Sequence, residues 1–442
     1  MLKRTLFLFV CALAASGFVF GQLTTSSLTG SIKDSSDNPL LGATIRATHI
    51  PTGTRYQGIT QSGGRFSIQD MRPGGPYTVE ITFVGFEPIT FTDVYLRLAE
   101  PYLLNVLMAK AVGALENVVL TTSQRRNQIF NASRMGATTN IGRREIELLP
   151  TIARSVNDLT RIAPQANGNQ IAGGNYRQNN FTIDGSYFNN SFGIGTNLPA
   201  NGSPISLDAI DEISVNISPY DIRQSGFIGS AINAVTRSGT NNFSGSVYEY
   251  WRNQNQQGGR VGKITFTRTP FTFKQQGFRI GGPIIKNKLF FFFNYEIENQ
   301  PKQVQTRFAS TSAAPFGSSS NIARPTADSI NIIRNYLLNT YGYDTGPFDN
   351  YSTAITRKKY LGRIDWNIGR NQHLVLRYSQ VEGGEPTAPS SSTFGSNFPG
   401  YPNGQGRNDI NNLWGKNSNY FQGSNFYSFA GELTSKFGRK VS

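Results

Sequence analysis

From residue 28 onward the chain is dominated by short runs in which apolar and polar residues alternate, and long helical periodicity is scarce. In residues 77–84, Tyr77, Val79, Ile81 and Phe83 alternate with Thr78, Glu80 and Thr82, the period-two pattern of a strand with one buried and one solvated face. Further strands are predicted over residues 28–33, 44–49, 56–60, 65–68 and 103–108. Between them, Asp37-Asn38-Pro39, Pro51-Thr52-Gly53, Ser62-Gly63-Gly64 and Arg72-Pro73-Gly74-Gly75-Pro76 supply the positive or fixed φ that tight turns need. About seven such elements in roughly 80 residues predict a small immunoglobulin-like sandwich.

A different rhythm begins at residue 243. Strands are predicted at 243–251, 276–284, 289–299, 358–368, 373–383 and 425–437. The connections 252–275, 300–357 and 384–424 are long, whereas 285–288 and 369–372 are short turns. Strict long–short alternation is what a membrane-spanning β-barrel produces, and a soluble sandwich has no reason to keep it. Tyr360, Ile364, Trp366 and Ile368 are expected to face lipid while Leu361, Arg363, Asp365 and Asn367 face the lumen. Leu374, Leu376 and Tyr378 repeat the pattern opposite Arg377 and Ser379. The run Phe290-Phe291-Phe292-Phe293 follows a short turn, where an aromatic girdle belongs; alone it reads equally well as a buried core strand. Six strands cannot close such a barrel, because an open edge in lipid leaves backbone groups unpaired, so the chain reads as a piece of a longer one. The Ser- and Asn-rich stretch 309–321 is expected to be mobile.

Between these regions, residues 125–241 mix short helices with strands. Residues 143–149 form a helix stopped by Pro150, and Ser155 caps a second over 156–161 that ends before Pro164. The fold class is therefore mainly β: a small transthyretin/immunoglobulin-like sandwich, an α+β unit, and the first strands of a large, incomplete barrel.

Composition narrows the chemistry. Lys3 and Arg4, an apolar run over 6–15 and small residues up to Gly21 make residues 1–21 a signal peptide, too short for a spanning helix. Cys11, the one cysteine, lies within that apolar run behind a bulky Val10, which argues against lipidation and leaves the remaining chain without disulfides or thiolate metal sites. The mean hydropathy of −0.34 is compatible with a barrel, in which lumen-facing and lipid-facing residues cancel. The net charge of +15 invites a nucleic-acid reading, but Arg125, Arg126, Arg143, Arg144, Lys286, Lys288, Lys358 and Lys359 are scattered and no recognition motif accompanies them. With only His49 and His373, no zinc-ligand spacing and no phosphate loop, no catalytic residues, cofactor or metal are assigned and an enzyme is not expected.

Residues 29–34, 39–45, 64–68 and 77–86 resemble the carboxypeptidase regulatory-like domain, a transthyretin-like sandwich found in front of many outer-membrane receptors. The stretches 179–185, 205–217 and 226–241, with Ile183-Asp184-Gly185 and Asn233-Ala234-Val235-Thr236, are similar to the plug of TonB-dependent outer-membrane receptors. Residues 149–155, 158–161, 164–168, 181–190 and 218–227 resemble the Oar-like branch of that class. Arg-Gly-Pro, usual in better-known receptors, is absent where Ile217-Ser218-Pro219-Tyr220 stands, so siderophore specificity is not carried over.

The resemblance implies a division into a signal peptide (1–21), sandwich (22–110), TonB-box-like linker (111–124), plug (125–241) and partial barrel (242–442). It implies a 22-stranded outer-membrane transporter, with sandwich and plug on the periplasmic side, that takes up a glycan, peptide or metal chelate when TonB and its inner-membrane complex pull. Leu115, Glu116, Asn117, Val118, Val119, Leu120 and Thr121 are the candidate TonB contacts, although Asn117 stands where relatives carry an acid. An extended peptide can add a strand to a partner's sheet edge; the same segment also reads as a last sandwich strand or a linker. Asn189, Asn190, Phe192 and Asn197 are candidate ligand-binding residues at a plug apex, or a plain Asn-rich turn. A surface-binding or adhesion protein with a barrel anchor is the alternative from another class, and a soluble secreted carbohydrate-binding protein a third.

Overall fold

The structure is a computed structural model that describes residues 24–111, 118–121, 137–151, 154–167, 170–189, 198, 202–217, 227–265, 271–369, 371–389 and 410–435. The signal-peptide expectation lies outside these residues. Eight strands build the first unit: β1 (Ser26–Asp34), β2 (Thr44–His49), β3 (Thr54–Ile59), β4 (Arg65–Met71), β5 (Gly74–Thr82), β6 (Ile89–Leu96), β7 (Pro101–Met108) and β8 (Val118–Thr121). They form two sheets, ordered β4-β1-β7 and β3-β2-β5-β6-β8. Tyr77, Val79 and Ile81 are fully buried between them, with Leu28, Ile32, Ile45, Ile68 and Met108, as the alternation of β5 requires. Strand β6 is absent from the sequence reading for a visible reason. Asp93 takes a left-handed conformation with φ 58°, so the buried positions shift from Ile89 to Val94 and Leu96 and the simple alternation breaks.

The second unit contains β9 (Ala137–Gly142), α1 (Arg143–Leu148), α2 (Val156–Thr160), the small pair β10 (Ala166–Asn167) and β11 (Gln170–Ile171), β12 (Asn180–Ile183), β13 (Ser186–Tyr187), β14 (Ile210–Ile217) and β15 (Ser230–Thr236). Ser155 and Asp158 make the reciprocal cap that starts α2. The sheet order is β13-β12-β15-β14-β9; every residue of the central β15 is buried.

Six long strands follow, interrupted by small pairs in the long connections: β16 (Ser244–Asn253), β17 (Arg260–Val261), β18 (Ile264–Thr265), β19 (Thr272–Ile285), β20 (Leu289–Gln303), β21 (Phe308–Ser310), β22 (Ile322–Thr326), α3 (Ala327–Tyr341), β23 (Ser352–Asn367), β24 (Gln372–Glu382), β25 (Gly384–Thr387), β26 (Tyr420–Gly423) and β27 (Phe426–Ser435). Antiparallel pairing orders the long strands β16-β19-β20-β23-β24-β27, an unclosed sheet among the described residues. The face assignments hold: Ile364, Trp366 and Ile368 are exposed on the convex side, while Leu361, Arg363, Asp365 and Arg377 are buried on the other. Phe290 and Phe292 likewise point inward, and Phe293 outward.

Two features of the sheet differ from expectation. β19, β20 and β23 run to 14, 15 and 16 residues, extending past the expected strands at the end away from the short turns. In addition, the connection after β20 carries the 15-residue helix α3, started by Thr326 capping the Ser329 N–H and ended by left-handed Gly342. The concave face of the sheet holds the second unit: Phe292, Leu361 and Val381 join a core with Ile183, Phe188 and Ile213. Among the described residues no helix is long and apolar enough to cross a membrane, which says nothing about a β-barrel.

Candidate functional site

The Asp184-Gly185 turn that joins β12 to β13 has φ of 46° and 82°, the positive pair that a two-residue hairpin turn demands. This geometry aims the Asp184 carboxylate at the wall formed by the long strands. There β23 and β24 place Arg363 directly opposite Arg377. Two cations facing each other on one sheet face repel, so the register calls for an anion between them. Asp184 provides it: its Oδ1 lies 3.7 Å from Arg363 Nη1 and 3.6 Å from Arg377 Nη1, and it accepts the Thr236 N–H at 2.9 Å.

The surrounding charges close the network. Arg363 makes a two-pronged contact with Asp365 at 2.8 and 2.9 Å and donates to the Thr236 carbonyl at 3.0 Å. Arg377 pairs with Glu432 at 3.0 Å. The third cation comes from the sandwich, where Arg72 Nη2 lies 3.5 Å from Asp365 Oδ1. Three arginines thus face three carboxylates in a region where Asp184 and Asp365 are essentially inaccessible, and the balance of charge requires all three units.

Two further polar clusters, one partly exposed and one buried, lie where the second unit meets the wall. Asp208 pairs with Arg279 at 2.9 Å and accepts from the Ser246 hydroxyl, while Arg237 bridges to Glu147 at 3.0 Å. Ser206 shares a 2.8 Å hydrogen bond with the Tyr248 hydroxyl, which donates to Glu296; Glu296 and Glu298 in turn hold Lys359 and Arg357 at 2.6 Å. Buried ion pairs add little net stability relative to apolar packing, but they define one arrangement sharply and are costly to leave half-made.

The sandwich docks at the end of the wall that carries the short turns. The Asn241 N–H donates to the Pro51 carbonyl at 2.8 Å, and Asn367 Nδ2 donates to Thr54 Oγ1 at 3.2 Å. Gly53, with φ 65°, sits so near Asn287 Oδ1 that any side chain would collide with it. Against β14, the Leu98 N–H donates to Glu212 Oε1 at 3.0 Å. Burial pushes the Glu212 carboxyl up to about 8 from its ordinary 4.5, against the lowering effect of the Leu98 N–H, and the neighbouring Asp211 charge adds to the rise. His49, expected to be structural or solvated, is buried beside Tyr77 with Nδ1 2.7 Å from Thr52 Oγ1; burial, with the Arg72 cation, pushes its imidazole down to about 3 and keeps it neutral.

Of the residues singled out in the sequence, Val118, Val119, Leu120 and Thr121 form β8, which pairs in parallel with residues 89–92 of β6. Leu115, Glu116 and Asn117 lie outside the described residues, as do Asn190, Phe192 and Asn197. Asn189 is committed to its own turn: Oδ1 accepts the Phe181 N–H at 2.8 Å and Nδ2 donates to Asn180 at 2.6 Å. Sequence reasoning placed Arg363 and Asp365 on the lumen face and Asp184 in a plug-like stretch, yet it did not join them. Arg72 and Glu212 carried no local signal at all.

Residues 27–109 match the carboxypeptidase regulatory-like domain and residues 235–426 the outer membrane beta barrel domain. The chain is 28% identical over 311 residues to the TonB-dependent transporter Oar of Myxococcus xanthus, an alignment covering 64% of this chain and 28% of that protein. It therefore spans just over a quarter of the length of the curated relative it matches. Among solved structures it is similar to the outer membrane transporter YddB from Escherichia coli, at 12% identity and a TM-score of 0.44 over 68% of this chain and 37% of that one. It is also similar to the siderophore receptor PirA from Acinetobacter baumannii, at 19% identity and a TM-score of 0.38 over 58% of this chain and 32% of that one. At these scores the architecture rests on the strand order and register described above. With a carboxypeptidase regulatory-like domain in front, an outer membrane beta barrel domain behind and a five-stranded unit between them, the chain is similar to the TonB-dependent transporter Oar.

Proposed function

We propose that the chain serves in a TonB-dependent outer-membrane receptor that takes up a glycan, peptide or metal chelate, the long strands spanning the membrane and the five-stranded unit acting as its plug. The observation that carries this reading is the Asp184 turn inserted between Arg363 and Arg377. The five-stranded unit packs on the inner face of the wall, sharing an apolar core with it, and is keyed there by buried charge, contacts that water can replace when the unit is pulled. Residues 1–21 are removed on export, and the sandwich and plug face the periplasm. Leu115, Glu116, Asn117, Val118, Val119, Leu120 and Thr121 contact TonB by strand addition. Asn189, Asn190, Phe192 and Asn197 are proposed at the ligand-facing apex.

The test is capture of the purified periplasmic domain of TonB by the full chain in detergent. Capture is expected for the unaltered chain and lost in Val118→Pro, which removes a backbone donor from the added strand. An outer-membrane anchor for adhesion would show no capture by either chain, and that result would retire the transport reading.

A further inference from the structure

We propose that the sandwich is the storage site of the TonB-contacting strand: the open edge of β6 holds residues 118–121, and TonB captures them by exchanging one sheet edge for another. The proposal rests on the transport reading for the identity of the partner and on strand pairing for the storage.

The pairing is specific in register, with Ile89, Thr90, Phe91 and Thr92 opposite Val118, Val119, Leu120 and Thr121. Strand β6 has β5 on its other side, so without β8 it would present an unpaired row of backbone donors and acceptors, the feature that invites strand addition. Among the described residues the pairing runs over four positions, up to Thr92, immediately before the left-handed Asp93 with φ 58°. Both the stored state and the proposed captured state use the same resource, the main-chain hydrogen bonds of an extended segment, so they are mutually exclusive.

The rest of the fold keeps the dock in place while the strand leaves. The sandwich is fixed to the barrel and plug through Pro51, Thr54, Arg72 and Leu98, none of which belongs to β6 or β8. Fifteen residues separate Thr121 from β9, where the plug begins. Fifteen residues can reach about 50 Å at most, a length that would let the strand be captured before the plug is pulled. Capture then comes first and plug movement second.

The test places cysteines at the paired positions 90 and 119, Thr90→Cys with Val119→Cys, in the full chain carrying Cys11→Ser. Paired strand positions fall within the separation that a disulfide spans, so oxidation is expected to cross-link them. The oxidised chain should then capture the TonB periplasmic domain at least tenfold less well than the same chain after dithiothreitol. Absence of a cross-link, or equal capture before and after reduction, overturns the proposal. In the unaltered chain, the amides of residues 118–121 should be protected from hydrogen exchange without the TonB domain, and those of residues 89–92 that face β8 should exchange at least tenfold faster once it is added; free exchange at 118–121 in its absence also overturns the proposal. A chain that cross-links yet captures no TonB domain even when reduced refutes the transport reading instead, and leaves β8 as a plain eighth strand.

Discussion

Replacing Arg72 with methionine keeps an unbranched apolar stem and removes the guanidinium that the sandwich contributes to the three-unit charge network. Arg72 Nη2 stands 3.5 Å from Asp365 Oδ1, with the Asp365 side chain 1% exposed and that of Arg72 15% exposed. At an effective dielectric of about 20, unit charges at that separation attract by about 5 kcal/mol. Desolvation of the guanidinium offsets part of this, and Asp365 retains its two-pronged contact with Arg363. The expected net cost is therefore about 2–3 kcal/mol, below the usual 3–5 for orphaning a buried charge. Two backbone amides report on docking directly, because Asn241 donates to Pro51 and Leu98 to Glu212 across the interfaces. Their hydrogen exchange, followed by mass spectrometry on the full chain in detergent, should quicken roughly 30- to 150-fold in Arg72→Met. Asp365→Asn should act on the same amides, and the double variant should cost less than the sum of the two. If Arg72→Met leaves both amides unchanged, or the two substitutions add without coupling, the sandwich is not held by charge and the reasoning fails.

Asp184→Ala leaves Arg363 and Arg377 opposed with no anion between them; about 3–5 kcal/mol of the stability of the second unit on the wall should be lost, read as its release from the wall at lower urea than in the unaltered chain. Glu212 carries a folded-state value near 8 against an ordinary 4.5, so it binds more protons folded than unfolded between those limits. Its contribution is fully present below pH 4.5 and is lost as pH rises to about 8; Glu212→Gln should flatten that limb and leave the docked sandwich more stable than the parent at pH 8, as a urea titration at several pH values would show. His49 runs the other way: its depressed value, near 3, costs stability as pH falls below 6.5, and His49→Gln should soften the acid limb of sandwich unfolding. Gly53→Val combines a disfavoured positive φ with a collision at Asn287, and should speed exchange at the Asn241 amide while leaving the sandwich itself folded, as its circular dichroism would report.

Period-two alternation told which face the residues of β5, β23 and β24 would occupy, since the side-chain direction of a strand is fixed locally by the pleat. The sandwich turns and the α2 cap were legible for the same reason: Pro-Thr-Gly and a capping serine act over four residues or fewer. Strand β6 escaped because one left-handed residue shifts its pattern midway, and α3 because its cap and its terminal glycine lay inside a connection read as loop.

Only the tertiary structure decided which charges meet. Arg363 and Arg377 are brought opposite each other by strand register, and Asp184 reaches them from about 180 residues earlier in the chain. Arg72 arrives from another unit altogether. The pairing of residues 118–121 was likewise open in the sequence, where the segment suited a last strand, a linker or a TonB contact. An extended apolar peptide has backbone groups to satisfy but no local preference among sheet edges, and the edge it takes is settled by which one the folded sandwich leaves free.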